Sequence, residues 1–222
     1  MLQNNKTRFW IIIILGFFVY LPTLFNGFVW DDEEQIVNNP QIQSLSKLPA
    51  FFSGSTFNAG GGGNLSGLYY RPLMTSGFTF VYSVFGLNPF FFHLVQIILH
   101  IANACLLYLI LFYIFKKFEI DSRLAFFCSL LFLVHPISVE AVSYLSGYQE
   151  VLFFFFAALS FLLILINNKP KKILWAASLI LLSLFSKETG AGFAGIIFVW
   201  LIFFEKEKLR PFLISMGIIL IT

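Results

Sequence analysis

Charge is scarce in this chain. Its 222 residues include 14 Lys and Arg, 11 Asp and Glu and three His, so charged residues make up 11%, while 59% are hydrophobic and 31 are Phe. A soluble domain carries about 25% charged residues, so that class is excluded. A mean hydropathy of +0.86 agrees. Cysteine is almost missing: Cys105 and Cys128 both stand in apolar runs, which excludes a disulfide framework or a thiolate metal site. Gly60-Gly61-Gly62-Gly63 lacks the Lys-Ser/Thr ending of a phosphate-binding loop, so no nucleotide role follows. No internal repeat of fixed period is present. Met1 to Phe25 has a basic start (Lys6, Arg8), but its apolar run exceeds the roughly 7–15 residues of a signal peptide and no A-x-A-like site follows. It reads as an uncleaved anchor.

What the chain has is apolar runs: Phe9–Phe25, Pro89–Phe115, Leu124–Val134, Val151–Ile166, Ile173–Ser186, Gly190–Phe204 and Pro211 to Thr222. A membrane span needs about 20 apolar residues, with about 17 as the lower limit. The first, second and fourth meet or approach that length. The third, fifth and sixth are short, as suits helices that line a protein-walled cavity. About seven membrane segments are expected, in residues 1–222, as the N-terminal part of a longer protein. With the N-terminus cytoplasmic, the inner loops hold Lys6, Arg8, Lys116, Lys117, Arg123, Lys169, Lys171, Lys172, Lys206, Lys208 and Arg210. Only Lys47, Arg71 and Lys187 remain outside, as the positive-inside rule demands. The basic residues are thus topogenic, and the net charge of +3 implies no nucleic acid partner. Asp31, Asp32, Glu33, Glu34, Glu140, Glu150 and Glu188 fall on the outer side, so the chemistry faces the periplasm or the ER lumen.

The first outer loop, residues 26–88, opens on Asp31-Asp32-Glu33-Glu34. Carboxylates at a membrane mouth take protons, bind cations or hold hydroxyls. Asn38-Asn39-Pro40 signals a turn. Ile42, Leu45, Leu48, Phe51 and Phe52 recur at helical spacing and predict a short interfacial helix. Ser53 to Gly67 reads as a linker, and Asn64-Leu65-Ser66 is a formal glycosylation sequon. Pro72 suits the first turn of a helix running to about Phe85. Arg71, the lone outer guanidinium, is either a partner for nearby acids or a phosphate fork. In the second span His93, Gln96, His100 and Asn103 share one helix face, which is therefore turned into the bundle. His135-Pro136 and Glu140 follow the third run, where both would cap broken helices. Lys187-Glu188 is either a neutral pair at a helix break or an ammonium that binds phosphate.

Several of these motifs occur in a recognisable order. Trp30-Asp31-Asp32, Asn38-Asn39-Pro40, Tyr70-Arg71-Pro72-Leu73, Gly86-Leu87-Asn88-Pro89 with Phe92-His93-Leu94 and Leu99-His100, His135-Pro136-Ile137 with Glu140-Ala141-Val142, and Ser186-Lys187-Glu188 resemble the TMTC-type (transmembrane and tetratricopeptide-repeat) O-mannosyltransferases of the GT-C class. The resemblance covers nearly the whole chain. One departure is Tyr148, where the family often has Arg. The resemblance implies an all-α GT-C-type helix bundle and, beyond this chain, tetratricopeptide repeats. It implies an inverting glycosyltransferase that moves a mannose-like sugar from a polyprenyl-phosphate donor to a hydroxyl acceptor, a protein Ser/Thr or another glycan, with membrane lipid around it. In that scheme Asp31 is the base and Asp32 orients sugar or acceptor. Arg71 and Lys187 hold the phosphate, and Tyr70, His93, His135, Glu140 and Glu188 complete the substrate-binding set. No metal cluster or cofactor is expected, the Asp pair being the one place for a divalent cation. The competing class is a transporter or flippase for a lipid-linked or cationic substrate, which would carry ionisable residues deeper in its spans.

Overall fold

The structure, a computed structural model, describes residues 2–53, 69–167 and 169–221. The glycine run Gly60-Gly61-Gly62-Gly63 and the sequon Asn64-Leu65-Ser66 lie outside the described residues. The chain is an all-α integral membrane protein, and no strand occurs among the described residues. Helix α1 (Leu2–Tyr20) runs into a 3₁₀ turn, Leu21–Phe25, opened by Pro22. The acidic segment forms a π-helical turn, Glu33–Val37, and the expected interfacial helix is a 3₁₀ segment, Leu45–Ser53. Then follow α2 (Pro72–Phe85), α3 (Pro89–Lys117), α4 (Arg123–Val134) and α5 (Ser138–Ser143). A 3₁₀ turn, Leu145–Gly147, leads into α6 (Tyr148–Ile166), α7 (Pro170–Ser186), α8 (Gly190–Phe204) and α9 (Lys206–Ile221). Among the described residues three segments are long and apolar enough to cross a membrane: Lys6–Phe25, Pro89–Lys117 and Leu145–Ile166. Arg123–Val134 and Gly190–Phe204 are apolar but shorter.

Punctuation in the sequence sets the helix ends. Pro72 and Pro89 occupy first-turn positions, where a missing N–H costs nothing. Gly86 closes α2 at φ +63°, a conformation that glycine adopts without steric cost. The Asn88 side chain accepts the Phe90 N–H at 3.2 Å and caps α3. At 29 residues α3 is about 43 Å long, so its Lys116 and Lys117 lie far from Asn88, at the basic end of the bundle.

Two apolar clusters hold the bundle together. One joins α1, α2, α3, α4 and the start of α6; the other joins the rest of α6 to α7, α8 and α9. Where α6 meets α7, the small buried residues Ala157, Ala158, Ala176 and Ala177 allow close approach. Ser160 donates to the Ala176 carbonyl at 2.7 Å and Ser183 to that of Phe153 at 2.9 Å. Buried polar residues of α3 bind backbone carbonyls, most of them at helix ends and breaks. His100 Nε2 meets the Leu133 carbonyl at 3.0 Å, which Tyr20 also reaches at 3.1 Å. Gln96 donates to Ala141 and Tyr144, and Asn103 to Val151 at 2.8 Å. In the absence of water at that depth, such carbonyls need internal donors. The stripe thus fixes the corner from α4 to α6 against α3, and that corner carries the site.

Candidate functional site

The acidic segment is folded around Asp32. Trp30 sits at φ +52°, a left-handed conformation that costs a non-glycine residue about 1–3 kcal/mol and must be held by its surroundings. Three contacts hold it. The Asp32 amide donates to the Val29 carbonyl at 3.0 Å and the Glu33 amide to the Trp30 carbonyl at 3.1 Å. Asp32 Oδ2 accepts the Val29 amide at 3.1 Å. Asp32 Oδ1 reaches across 114 residues and accepts both the amide and the hydroxyl of Ser146, each at 2.7 Å. Asp32 is fully buried. Burial pushes its pKa up, against hydrogen bonds from Ser146 and Val29 that hold it down. A carboxylate has about four acceptor positions, and three are taken here. Asp31, one residue earlier, points the other way and is exposed. Its neighbour is Tyr144, whose hydroxyl lies near enough to feel the Asp31 charge. Burial, with help from the Asp31 charge, pushes the Tyr144 pKa up. Trp30 packs edge-on against the Tyr144 ring at 6.0 Å.

Ser146 and Tyr144 also line a cavity of about 290 Å³ with Glu140, Gln149 and Glu150. Gly147 closes its floor: a Cβ there would stand 3.0 Å from the Glu140 carbonyl oxygen. Past Glu150 the wall continues in two ion pairs. Lys187 Nζ contacts Glu150 Oε1. Arg71 holds Glu188 through two nitrogens, at 2.9 and 3.4 Å. The Arg71 guanidinium lies over the Tyr69 ring at 4.3 Å and its side chain is 13% exposed, against 59% for Glu188. The Arg71 hydrogen bond holds the Glu188 carboxyl below its ordinary pKa. Tyr70 braces this rim, donating to the Phe52 carbonyl at 3.0 Å and packing on Phe185.

Contacts therefore link Asp31, Asp32, Glu140, Lys187, Glu188 and Arg71 along one end of the bundle. Two expected substrate contacts lie apart from the cavity. His93 is 1% exposed beneath the acidic turn, facing the backbone of Asn26 and Gly27 without closing a well-formed hydrogen bond. His135 is exposed, and its Nδ1 accepts the Ile137 amide at 3.2 Å, a cap on its own turn. Both cations of the expected phosphate clamp are ion-paired here: Arg71 with an acid, as its alternative reading had it, and Lys187 with Glu150 rather than with its neighbour Glu188. Tyr144, Ser146 and Gln149 were not expected in the site. Tyr144 and Ser146 stand just before Gly147, whose tight packing is the only local signal. Tyr148 is buried and packs on Phe78, filling the space left by Gly77, where a Cβ would meet the Tyr148 ring at 2.4 Å. It does not face the cavity lining.

The fold and this end of the bundle define an all-α membrane protein with a carboxylate-lined mouth bordered by ion-paired cations. Comparison with known proteins places it more closely. It is 41% identical over 135 residues to Protein O-mannosyl-transferase TMTC1 of Homo sapiens, covering 60% of this chain and 15% of that protein. It is 29% identical to Protein O-mannosyl-transferase TMTC3 of Homo sapiens over 87% of this chain and 21% of the relative. For Tmtc3 of Drosophila melanogaster the identity is 29% over 94% of this chain and 25% of the relative. The chain is thus similar to part of the TMTC-type O-mannosyl-transferases, and it spans a quarter or less of the length of these relatives. No family model and no solved structure matches it.

Proposed function

We propose that the chain is the N-terminal part of a membrane glycosyltransferase that moves a mannose-like sugar from a polyprenyl-phosphate donor to a hydroxyl acceptor, a protein Ser or Thr, on the extracytoplasmic face. The observation that carries this is the pairing of an exposed carboxylate, Asp31, on a turn clamped by Asp32, with a cavity whose lining residue Glu150 holds Lys187, next in sequence to the Glu188 that pairs with Arg71. The names of the relatives support the reaction class. In the reaction Asp31 takes the proton of the acceptor hydroxyl as its oxygen attacks the anomeric carbon. The bond from that carbon to the phosphate oxygen breaks, configuration inverts, and the polyprenyl phosphate leaves. Negative charge gathers on that leaving group, and Lys187 and Arg71 stabilise it by exchanging their carboxylate partners for phosphate oxygens. Asp32 keeps Asp31 in place, so its orienting role acts through the turn.

The clamp is tested in the full-length protein with Arg71→Ala and Lys187→Ala. Both should depress transfer from the donor at matched expression. Normal donor turnover in both variants would leave the cations as structural partners of Glu188 and Glu150 and would remove this mechanism. The transporter alternative gains no support from Gln96 and Asn103 of α3, which donate to backbone carbonyls.

A further inference from the structure

The carboxylate-lined mouth lies at one end of the bundle. A separate cavity of about 230 Å³ lies at the other, where α3 turns into α4. It stands about 30 Å along α3 from Gln96, which holds the corner that carries the mouth. Its wall has two apolar residues, Phe112 and Ile120, and three polar ones, Lys116, Glu119 and Ser122. None of the three polar side chains has a hydrogen-bond or ion-pair partner among the described residues. Their neighbours are all engaged: Lys117 pairs with Glu205 at 3.5 Å and lies over the Trp200 ring, and Arg123 pairs with Asp121 at 2.7 Å. Ser122 stands at the N-cap of α4, yet its side chain accepts no cap hydrogen bond.

Glu119 occupies a place that disfavours a carboxylate. The Ile120 amide donates to the Phe115 carbonyl at 2.8 Å and the Glu119 amide to the Lys116 carbonyl at 3.4 Å, the pattern that closes a helix on a left-handed residue. That residue is Glu119, at φ +56°, a conformation that glycine adopts freely and glutamate does not. The carboxylate also meets the negative end of the α3 dipole, which favours Lys116 and Lys117 instead. The dipole accounts for the lysines and leaves the glutamate to be explained by what it meets in the cavity.

Position and charge together name the ligand. Lys117 closes the span Pro89–Lys117, so the cavity sits where lipid headgroups meet the bundle. Tyr113 is exposed one turn earlier, at the depth where tyrosine anchors a helix to the interface. A phosphate alone would satisfy Lys116 and Ser122 and be repelled by Glu119. A headgroup that carries both a phosphate and a primary ammonium satisfies all three. We propose that this cavity is a lipid site selective for a phospholipid with an amine-bearing headgroup, of the phosphatidylethanolamine type. Lys116 and Ser122 take the phosphate, Glu119 takes the ammonium, and Phe112 and Ile120 pack on the first carbons of the chains. The volume falls below the roughly 300–1,000 Å³ of pockets that enclose a drug-sized ligand, which suits a headgroup whose chains stay in the bilayer. A choline headgroup lacks N–H donors and a glycerol headgroup lacks the cation, so both should bind less well.

The test reads thermal unfolding of the full-length protein in detergent, titrated with phosphatidylethanolamine, phosphatidylcholine, phosphatidylglycerol or free phosphoethanolamine. The expected result is a rise in Tm with phosphatidylethanolamine at concentrations at least tenfold below those at which the other three act. Glu119→Gly eases the helix end, so its Tm without lipid should be no lower than that of wild type. In that variant the preference for phosphatidylethanolamine over phosphatidylglycerol should shrink at least tenfold. Lys116→Gln should weaken the response to both lipids. An equal response to all three lipids, a preference for phosphatidylglycerol, or an equal response to free phosphoethanolamine would each overturn the proposal. So would an unchanged preference in Glu119→Gly, or an unchanged phosphatidylethanolamine response in Lys116→Gln. A lipid-free Tm of Glu119→Gly well below wild type would overturn it too, by making the carboxylate a contact of the fold.

Discussion

Replacing Asp32 separates holding the active turn from acting in it. The buried carboxylate accepts three hydrogen bonds, two from Ser146 and one from Val29. Bonds to a charged group contribute about 1.5–3 kcal/mol each, and an amide left buried without an acceptor costs about 1–3 kcal/mol. In Asp32→Asn the remaining carbonyl oxygen can keep both Ser146 bonds, while the new amide turns N–H groups toward the Val29 N–H. The expected loss is about 1–3 kcal/mol. Asp32→Ala removes all three bonds and the brace on the strained Trp30, with an expected loss of about 3–5 kcal/mol, the range for breaking a buried charged network. For a chain of this size each kcal/mol shifts Tm by about 2–4 °C. Thermal unfolding in detergent should therefore rank wild type above Asp32→Asn above Asp32→Ala, with Ser146→Ala, which removes one of the three bonds, near Asp32→Asn. An Asp32→Ala protein with unchanged Tm would refute the clasp. So would full loss of sugar transfer at unchanged Tm, since Asp32 would then be touching substrate.

Three further outcomes follow from the same structure. Ser46→Cys, in the exposed part of the first outer loop, should react with a membrane-impermeant thiol reagent in intact cells; labelling only after lysis would invert the topology and every site assignment. The Glu188 carboxyl has its pKa lowered in the folded state, so its pairing with Arg71 is fully present above the ordinary value of 4.5 and is lost as pH falls through the depressed one. Glu188 is mostly exposed, so the effect is under about 1 kcal/mol, and Glu188→Gln should flatten that part of the acid limb in a Tm-against-pH series. Gly77→Ala should destabilise the protein by about 1–3 kcal/mol, because its methyl group would overlap the Tyr148 ring, and Tyr148→Phe should not relieve it, since ring carbons make the closest contact. An unchanged Tm in Gly77→Ala would contradict that packing.

Punctuation made much of the bundle readable. Pro72, Pro89 and Gly86 set helix ends that the structure places where the sequence put them, and the polar stripe of α3 correctly identified its buried face. The period of Ile42, Leu45, Leu48 and Phe51 read as a helix; Pro49, lacking an N–H, lies inside a 3₁₀ segment instead. Within the site, Asp31 and Asp32 are equivalent in sequence, and only the left-handed Trp30 and a partner 114 residues away make one exposed and the other buried. Such long-range pairing leaves no periodic trace. The same holds for Gln149 and Ser146, which become part of a site because α5 folds back over Gly147. Arg71 and Lys187 were legible as rare outer cations, but their carboxylate partners become apparent only when α2 and α6 meet the break between α7 and α8.

The general base is the central claim, and one comparison reaches it directly. Sugar transfer from a polyprenyl-phosphate donor is measured for full-length wild type, Asp31→Asn and Asp32→Asn at matched expression. Asp31→Asn keeps size and polarity but removes basicity, so transfer should fall about 10²–10⁴-fold while Tm stays unchanged. Asp32→Asn should lower Tm and reduce transfer less. Near-normal transfer by Asp31→Asn would contradict the account: if Asp32→Asn alone were inactive the two roles would exchange, and if both were active the base-catalysed mechanism would fall.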